Sequence, residues 1–134
     1  MSRVLLTASL LRRQFSTRMI PDFYNAWAEP LPKPAEELNT YLCICPDFVP
    51  GSKRPELREQ HLANSKHGHG RWTIKAGPIF EGDHGDHNPP KMIGSYYLLR
   101  EESKEKALER LMKDIYAVHG AWDVDKITVQ AIAK

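Results

Sequence analysis

Three of the chain's six histidines, His61, His67 and His69, fall within nine positions in the stretch "LREQHLANSKHGHGRW", residues 57–72. His61 stands four residues after Leu57, so on a helix the two share a face and the imidazole points inward rather than into water. A buried imidazole needs a hydrogen-bond partner. Asp47, at the carboxyl end of the preceding apolar run, is the acid placed to supply one. A carboxylate that orients an imidazole makes a general base suited to neutral pH. Arg58, one turn before His61, can hold a substrate carboxylate with its two-pronged guanidinium. That set suits removal of a proton beside a carbonyl or carboxylate, the first step of an isomerisation or an elimination. The alternative is a core histidine satisfied by a backbone carbonyl, with no chemistry attached.

His67 and His69 follow at the end of the same helix, where the dipole accounts for them. The loop "DHGDH", Asp83 to His87, is metal-capable through Asp83, His84, Asp86 and His87. A glycine-containing loop is poorly organised in advance for a metal, however, so solvated polarity or a lid over the pocket is the expectation. No metal site and no organic cofactor are assigned. Cys43 and Cys45 stand two apart in an apolar run, where strand geometry puts both on one face and discourages a bond between them. They read as buried thiols in a reducing compartment.

The elements that must position these groups follow from pattern and punctuation. "TYLCIC" (40–45) reads as a strand. A helix starts around Pro55 with Glu56 and Glu59 near its positive end, and runs to about His67, where Gly68 and Gly70 stop it. Strands follow at 71–76 and 91–100. Ser103 then caps a second helix carrying Ala107, Leu108, Leu111, Met112, Ile115 and Val118 on one stripe, ended by His119-Gly120. A last strand spans 125–133. The order β-α-β-β-α-β is the ferredoxin-like α+β arrangement, with both helices on one face of a four-stranded antiparallel sheet.

The first and third strands are apolar on both faces: Leu42 and Ile44 oppose Tyr41, Cys43 and Cys45 in one, and Met92, Tyr96 and Leu98 oppose Ile93, Tyr97 and Leu99 in the other. A sheet wetted on one side would alternate with polar residues. A second copy of the chain covering that face would form a homodimer, closing a two-chain barrel.

Ahead of this domain, residues 19–38 hold prolines at 21, 30, 32 and 34, which forbid a helix and favour an extended path. Phe23, Tyr24 and Trp27 are too apolar for a free linker, so the arm is expected to lie against the domain or a partner chain. Residues 1–18 contain Arg3, Arg12, Arg13 and Arg18, no acidic residue, and Leu5, Leu6, Leu10 and Leu11 on a helical stripe. That is the make-up of a mitochondrial presequence, and it places the expected product in the matrix. Losing residues 1–15 removes three arginines and no acid, moving the net charge from +2 to −1. The electrostatic footprint of a nucleic-acid binder goes with them. No apolar run approaches the roughly 18 residues that cross a bilayer, so neither nucleic acid nor membrane is an expected partner. The chain thus divides into a presequence (1–18), an arm (19–38) and one domain (39–134).

From about Tyr41 to Ala133 the chain resembles the YCII-related family of small dimeric α+β barrel proteins. The resemblance rests on the first strand ending at Asp47, then "REQHLA" (58–63), "AGP" (76–78), "GS" (94–95), "DIY" (114–116) and "GAW" (120–122), in that order. The family is similar to muconolactone-isomerase-like and chloromuconate-dehydrochlorinase-like enzymes. The resemblance implies a dimeric barrel, a catalytic pair at His61 and Asp47, and Arg58 and Ser95 as substrate-binding residues in the pocket. The sequence departs from the family where the first helix ends in "HGHG" and where the loop at 81–90 is rich in His and Asp. The leading expectation is a small mitochondrial isomerase or lyase acting on a carboxylated small molecule. The alternatives are a non-catalytic dimeric module that binds a metabolite or stabilises another protein, and behind it a His-rich metal binder.

Overall fold

The computed structural model describes residues 19–83 and 90–134. The expected presequence at 1–18 and the loop residues His84, Asp86 and His87 lie outside them, so those two expectations stay with the sequence. Among the described residues the domain's strands and α-helices are β1 (Asn39–Pro46), α1 (Arg54–Ser65), β2 (Thr73–Phe80), β3 (Met92–Glu101), α2 (Lys104–Met112), α3 (Ile115–Val118) and β4 (Thr128–Ile132). The sheet order is β2-β3-β1-β4 with every neighbouring pair antiparallel, which is the ferredoxin-like α+β fold.

β1 lies inside the sheet, with Cys43 opposite Tyr97 on one side and Val129 on the other. Alternation does the rest. Tyr41, Cys43, Cys45, Tyr97, Leu99 and Val129 point to one face, where they form the core with Ala107, Leu111, Ile115, Tyr116 and Trp122 from the helices and the segment after them. Leu42, Ile44, Tyr96, Leu98 and Ile132 point the other way; Leu42 and Ile132 are exposed, so among the described residues nothing fully covers this apolar face.

The second helix differs from the expectation of one continuous rod. It stops at Met112, and α3 restarts at Ile115. The break is made by Asp114, whose backbone is extended (φ −66°, ψ 146°) and whose carboxylate accepts a hydrogen bond from the Tyr116 amide. An aspartate cap satisfies an amide that a new helix start would otherwise leave unpaired. Of the expected stripe Ala107, Leu111 and Ile115 are buried, while Leu108, Met112 and Val118 are exposed; after the break Tyr116 is buried beside Ile115. The last strand also begins late, at Thr128, after a 3-10 turn at Val124–Lys126.

The proline-rich arm packs on its own domain. Ala26, Trp27 and Leu38 are buried, and Trp27 stacks on Tyr97 with ring centroids 5.2 Å apart. Arg110 holds the arm from outside, donating to the Ala26 carbonyl at 2.6 Å and to Glu29 Oε1 at 2.9 Å. Gly68 permits the close approach: a Cβ there would stand 3.0 Å from Trp27 Cε3. One glycine of "HGHG" therefore serves arm docking.

Candidate functional site

His61 sits on the buried side of α1, as the Leu57 spacing requires. Its Nδ1 lies 2.8 Å from Asp114 Oδ1. The same carboxylate oxygen accepts the Tyr116 amide at 2.8 Å, and Oδ2 accepts Trp27 Nε1 at 2.8 Å. Asp114 is thus held by two donors besides the imidazole, which fixes it to orient the ring. A carboxylate facing Nδ1 favours the tautomer with the proton on Nδ1, which leaves Nε2 as the free lone pair. Nε2 has no hydrogen-bond partner among the described residues.

The expected pairing of His61 with Asp47 is therefore not the one formed. Asp47 leads from β1 into the next turn, where Arg54, at the start of α1, claims both of its oxygens (Nε to Oδ2 2.8 Å, Nη2 to Oδ1 2.9 Å). A guanidinium matches both carboxylate lone-pair directions at once, so a buried arginine outcompetes an imidazole for this acid. Both partners are nearly buried.

Ser95 links the Arg54–Asp47 pair to the cavity. Its Oγ accepts Arg54 Nη2 at 2.6 Å and Trp122 Nε1 at 3.1 Å. Having accepted twice, the hydroxyl still carries its own proton to give. Gly94 beside it lets β1 and β3 close, since a Cβ there would stand 2.8 Å from the Cys45 carbonyl oxygen. Both residues of "GS" thus have a physical role.

Tyr116 completes the arrangement. Its ring lies flat on the His61 imidazole, centroids 3.7 Å apart and planes within 4°, with the Arg54 guanidinium carbon 4.9 Å from the ring centre. Trp122 closes the far side edge-on, 5.6 Å from Tyr116 and 6.0 Å from His61. The Tyr116 hydroxyl is buried without a hydrogen-bond partner among the described residues. Such a group costs about 1–3 kcal/mol unless something satisfies it. Burial also pushes its phenol up to about 12, with the Arg54 charge opposing, so it stays a neutral O–H donor.

His61, Tyr116, Ser95, Arg54 and Arg58 line one cavity of about 110 Å³. Of the four residues singled out from sequence, His61, Arg58 and Ser95 meet there. Arg58 is exposed and has no ion-pair partner among the described residues, so its charge is available at the cavity wall. Asp47 stands behind that wall through Arg54. A carbon acid placed in the cavity would meet a base at Nε2 and the Ser95 hydroxyl as a donor for the charge that develops, while the Tyr116 hydroxyl lies buried behind the ring.

Sequence reasoning missed Asp114, Tyr116 and Arg54. Asp114 and Tyr116 were visible in "DIY", where an aspartate two residues before an aromatic in an otherwise apolar stripe is a helix-start signal. His67 and His69 are exposed. Among the described residues no three His, Cys, Asp or Glu side chains gather as metal ligands would.

No protein-family model matches the chain. Over 93 residues, 66% of its length, it is 36% identical to the aspercryptin biosynthesis cluster protein B of Emericella nidulans, spanning 59% of that protein. Over 102 residues, 71% of its length, it is 30% identical to the aspartate kinase FUB3 of Fusarium oxysporum f. sp. lycopersici, spanning 18% of that protein. It is 29% identical over the same length to the fusaric acid biosynthesis protein 2 of Gibberella fujikuroi, and there it spans 93%. The chain therefore covers less than two thirds of the first two relatives and nearly all of the third. It is similar to fungal biosynthesis proteins.

Proposed function

We propose that this is a YCII-related homodimeric enzyme that moves a proton on a small carboxylated substrate, in isomerase or lyase chemistry, with His61 as the base. The observation that carries the reading is the 2.8 Å contact between His61 Nδ1 and Asp114, made while Nε2 stays unpartnered at a cavity. Asp114 holds the ring and stabilises the imidazolium that forms. Nε2 takes the proton from the carbon next to the substrate's carbonyl or carboxylate. The electron pair left behind delocalises onto that oxygen, where the Ser95 hydroxyl donates a hydrogen bond. The proton then returns to another carbon, or a leaving group departs from the neighbouring one. Asp47 acts through Arg54 in this scheme and is a positioning residue. Its place in the catalytic pair goes to Asp114.

The uncovered apolar face of the sheet supports the second copy, and the arginine-rich, acid-free residues 1–18 support delivery to the mitochondrial matrix. The similarity to biosynthesis proteins supports small-molecule chemistry in general and names no substrate.

Proton abstraction can be tested before the substrate is known. Small 2-oxo and unsaturated carboxylic acids are incubated with the protein in deuterated water, and loss of the proton beside the carbonyl is followed by NMR. Exchange that the wild type catalyses and His61→Gln does not is the expected result. Equal exchange by the two proteins, or none with any acid tried, would overturn the reading in favour of a module that only binds.

A further inference from the structure

The chamber at His61 is small. A water molecule occupies about 30 Å³ of liquid, so about 110 Å³ admits only a few heavy atoms, the reacting end of a molecule. Beside it lies a second and larger cavity of about 650 Å³, which shares Arg54, Arg58 and Met92 with the first. Its volume falls within the range of small-molecule sites. Phe48, Val49, Pro50 and Ile93 give it an apolar floor, and Phe48, Val49 and Ile93 are exposed in the single chain.

The charges around this groove are one-sided. Its lining includes one acid, Asp47, and that acid is neutralised by both prongs of Arg54. Arg58 and Lys91 remain, both exposed and neither with an ion-pair partner among the described residues. Two unpaired cations over an apolar floor complement an anion attached to an apolar body. Neither a neutral hydrocarbon nor a small hydrophilic acid would use both.

We infer that the two cavities form one site for an amphipathic carboxylate, its apolar body in the groove along Phe48–Pro50 and Ile93 and its carboxylate on Arg58 and Lys91. This rests on the proposed function and deepens it by naming the substrate class. Arg58 borders both cavities, so a carboxylate held there stands at the doorway to His61. The carbon that reacts is then one near the acid group, and the rest of the molecule decides affinity.

The test uses calorimetry on the full chain with butanoate, hexanoate and octanoate, and with octanamide as the uncharged counterpart. Each buried methylene contributes about 0.8 kcal/mol, or roughly fourfold in affinity, so octanoate is expected to bind more than a hundredfold tighter than butanoate. Octanoate should bind at least tenfold tighter than octanamide. The double variant Arg58→Gln/Lys91→Gln, altered only at exposed positions, should erase that preference while its circular dichroism stays that of the wild type. Equal affinity along the series, or a preference for the acid that survives the double variant, would overturn the inference.

The two readings fail separately. Octanoate binding that needs both cations, joined to no proton exchange with any acid, leaves the ligand class standing and removes the catalysis. Proton exchange on pyruvate as fast as on longer 2-oxo acids does the reverse.

Discussion

Trp27 Nε1 donates to Asp114 Oδ2 at 2.8 Å across 87 positions of the chain. The arm ahead of the domain thus shares the carboxylate that holds His61. Trp27→Phe keeps a ring to stack on Tyr97 but removes the donor and leaves a buried carboxylate oxygen short of a partner. A loss of about 1–3 kcal/mol is expected, measured by urea denaturation. Trp27→Ala also empties a large buried site and should lose about 3–5 kcal/mol. Stability equal to wild type in the phenylalanine variant would mean that the indole contact is idle.

Two arginines of α1 that lie one turn apart should behave as opposites. Arg54 is buried against Asp47 and Ser95. Asp47→Asn leaves its guanidinium uncompensated and should destabilise by about 3–5 kcal/mol. Arg58 is exposed, and Arg58→Gln should stay within about 0.5 kcal/mol of wild type. Denaturant midpoints of the two variants decide this, and a mild Asp47→Asn would place Arg54 in better contact with water than its burial indicates.

Alkali should unfold the domain. Burial pushes Cys43 from its usual 9.0 up to about 12, raises Cys45 well above 9.0 and Tyr97 well above 10.0, and brings Tyr116 to about 12. Each neutral form is favoured in the folded chain, so the stabilisation is complete below the unfolded values and is lost as pH rises through the folded ones. Urea midpoints should be level to about pH 8.5 and fall steadily from there toward pH 12. A midpoint unchanged at pH 11 would contradict the burial of these four groups.

The face carrying Leu42, Ile44, Tyr96, Leu98 and Ile132 should be covered by a second copy. Sedimentation is expected to give a dimer at micromolar concentration. Leu42→Lys on this face should give a folded monomer. A wild-type monomer would remove the barrel from the account.

The fold was legible because the strands are short, apolar and bounded by Pro, Gly and Asp, and because the helices are marked by Pro55, the Ser103 cap and the glycines that follow them. The helix break was not legible by period alone, since Ile115 and Val118 continue the spacing of Leu108 and Leu111 as if nothing intervened. What interrupts them is one side chain's choice of partners, and that depends on tertiary contacts. The same holds for the site. His61 could be placed from Leu57, four residues away, whereas its acid comes from 53 residues downstream. Asp47 was the nearer candidate in sequence, and Arg54 took it.

The most direct test of the central claim is the protonation pattern of the His61 ring, read by long-range proton–nitrogen NMR at pH 8.5 on the full chain. A proton on Nδ1 and a bare lone pair on Nε2 are expected, set apart from the tautomer mixture of the exposed His67 and His69. A proton found on Nε2 would contradict the account, because that nitrogen could then accept nothing from a substrate.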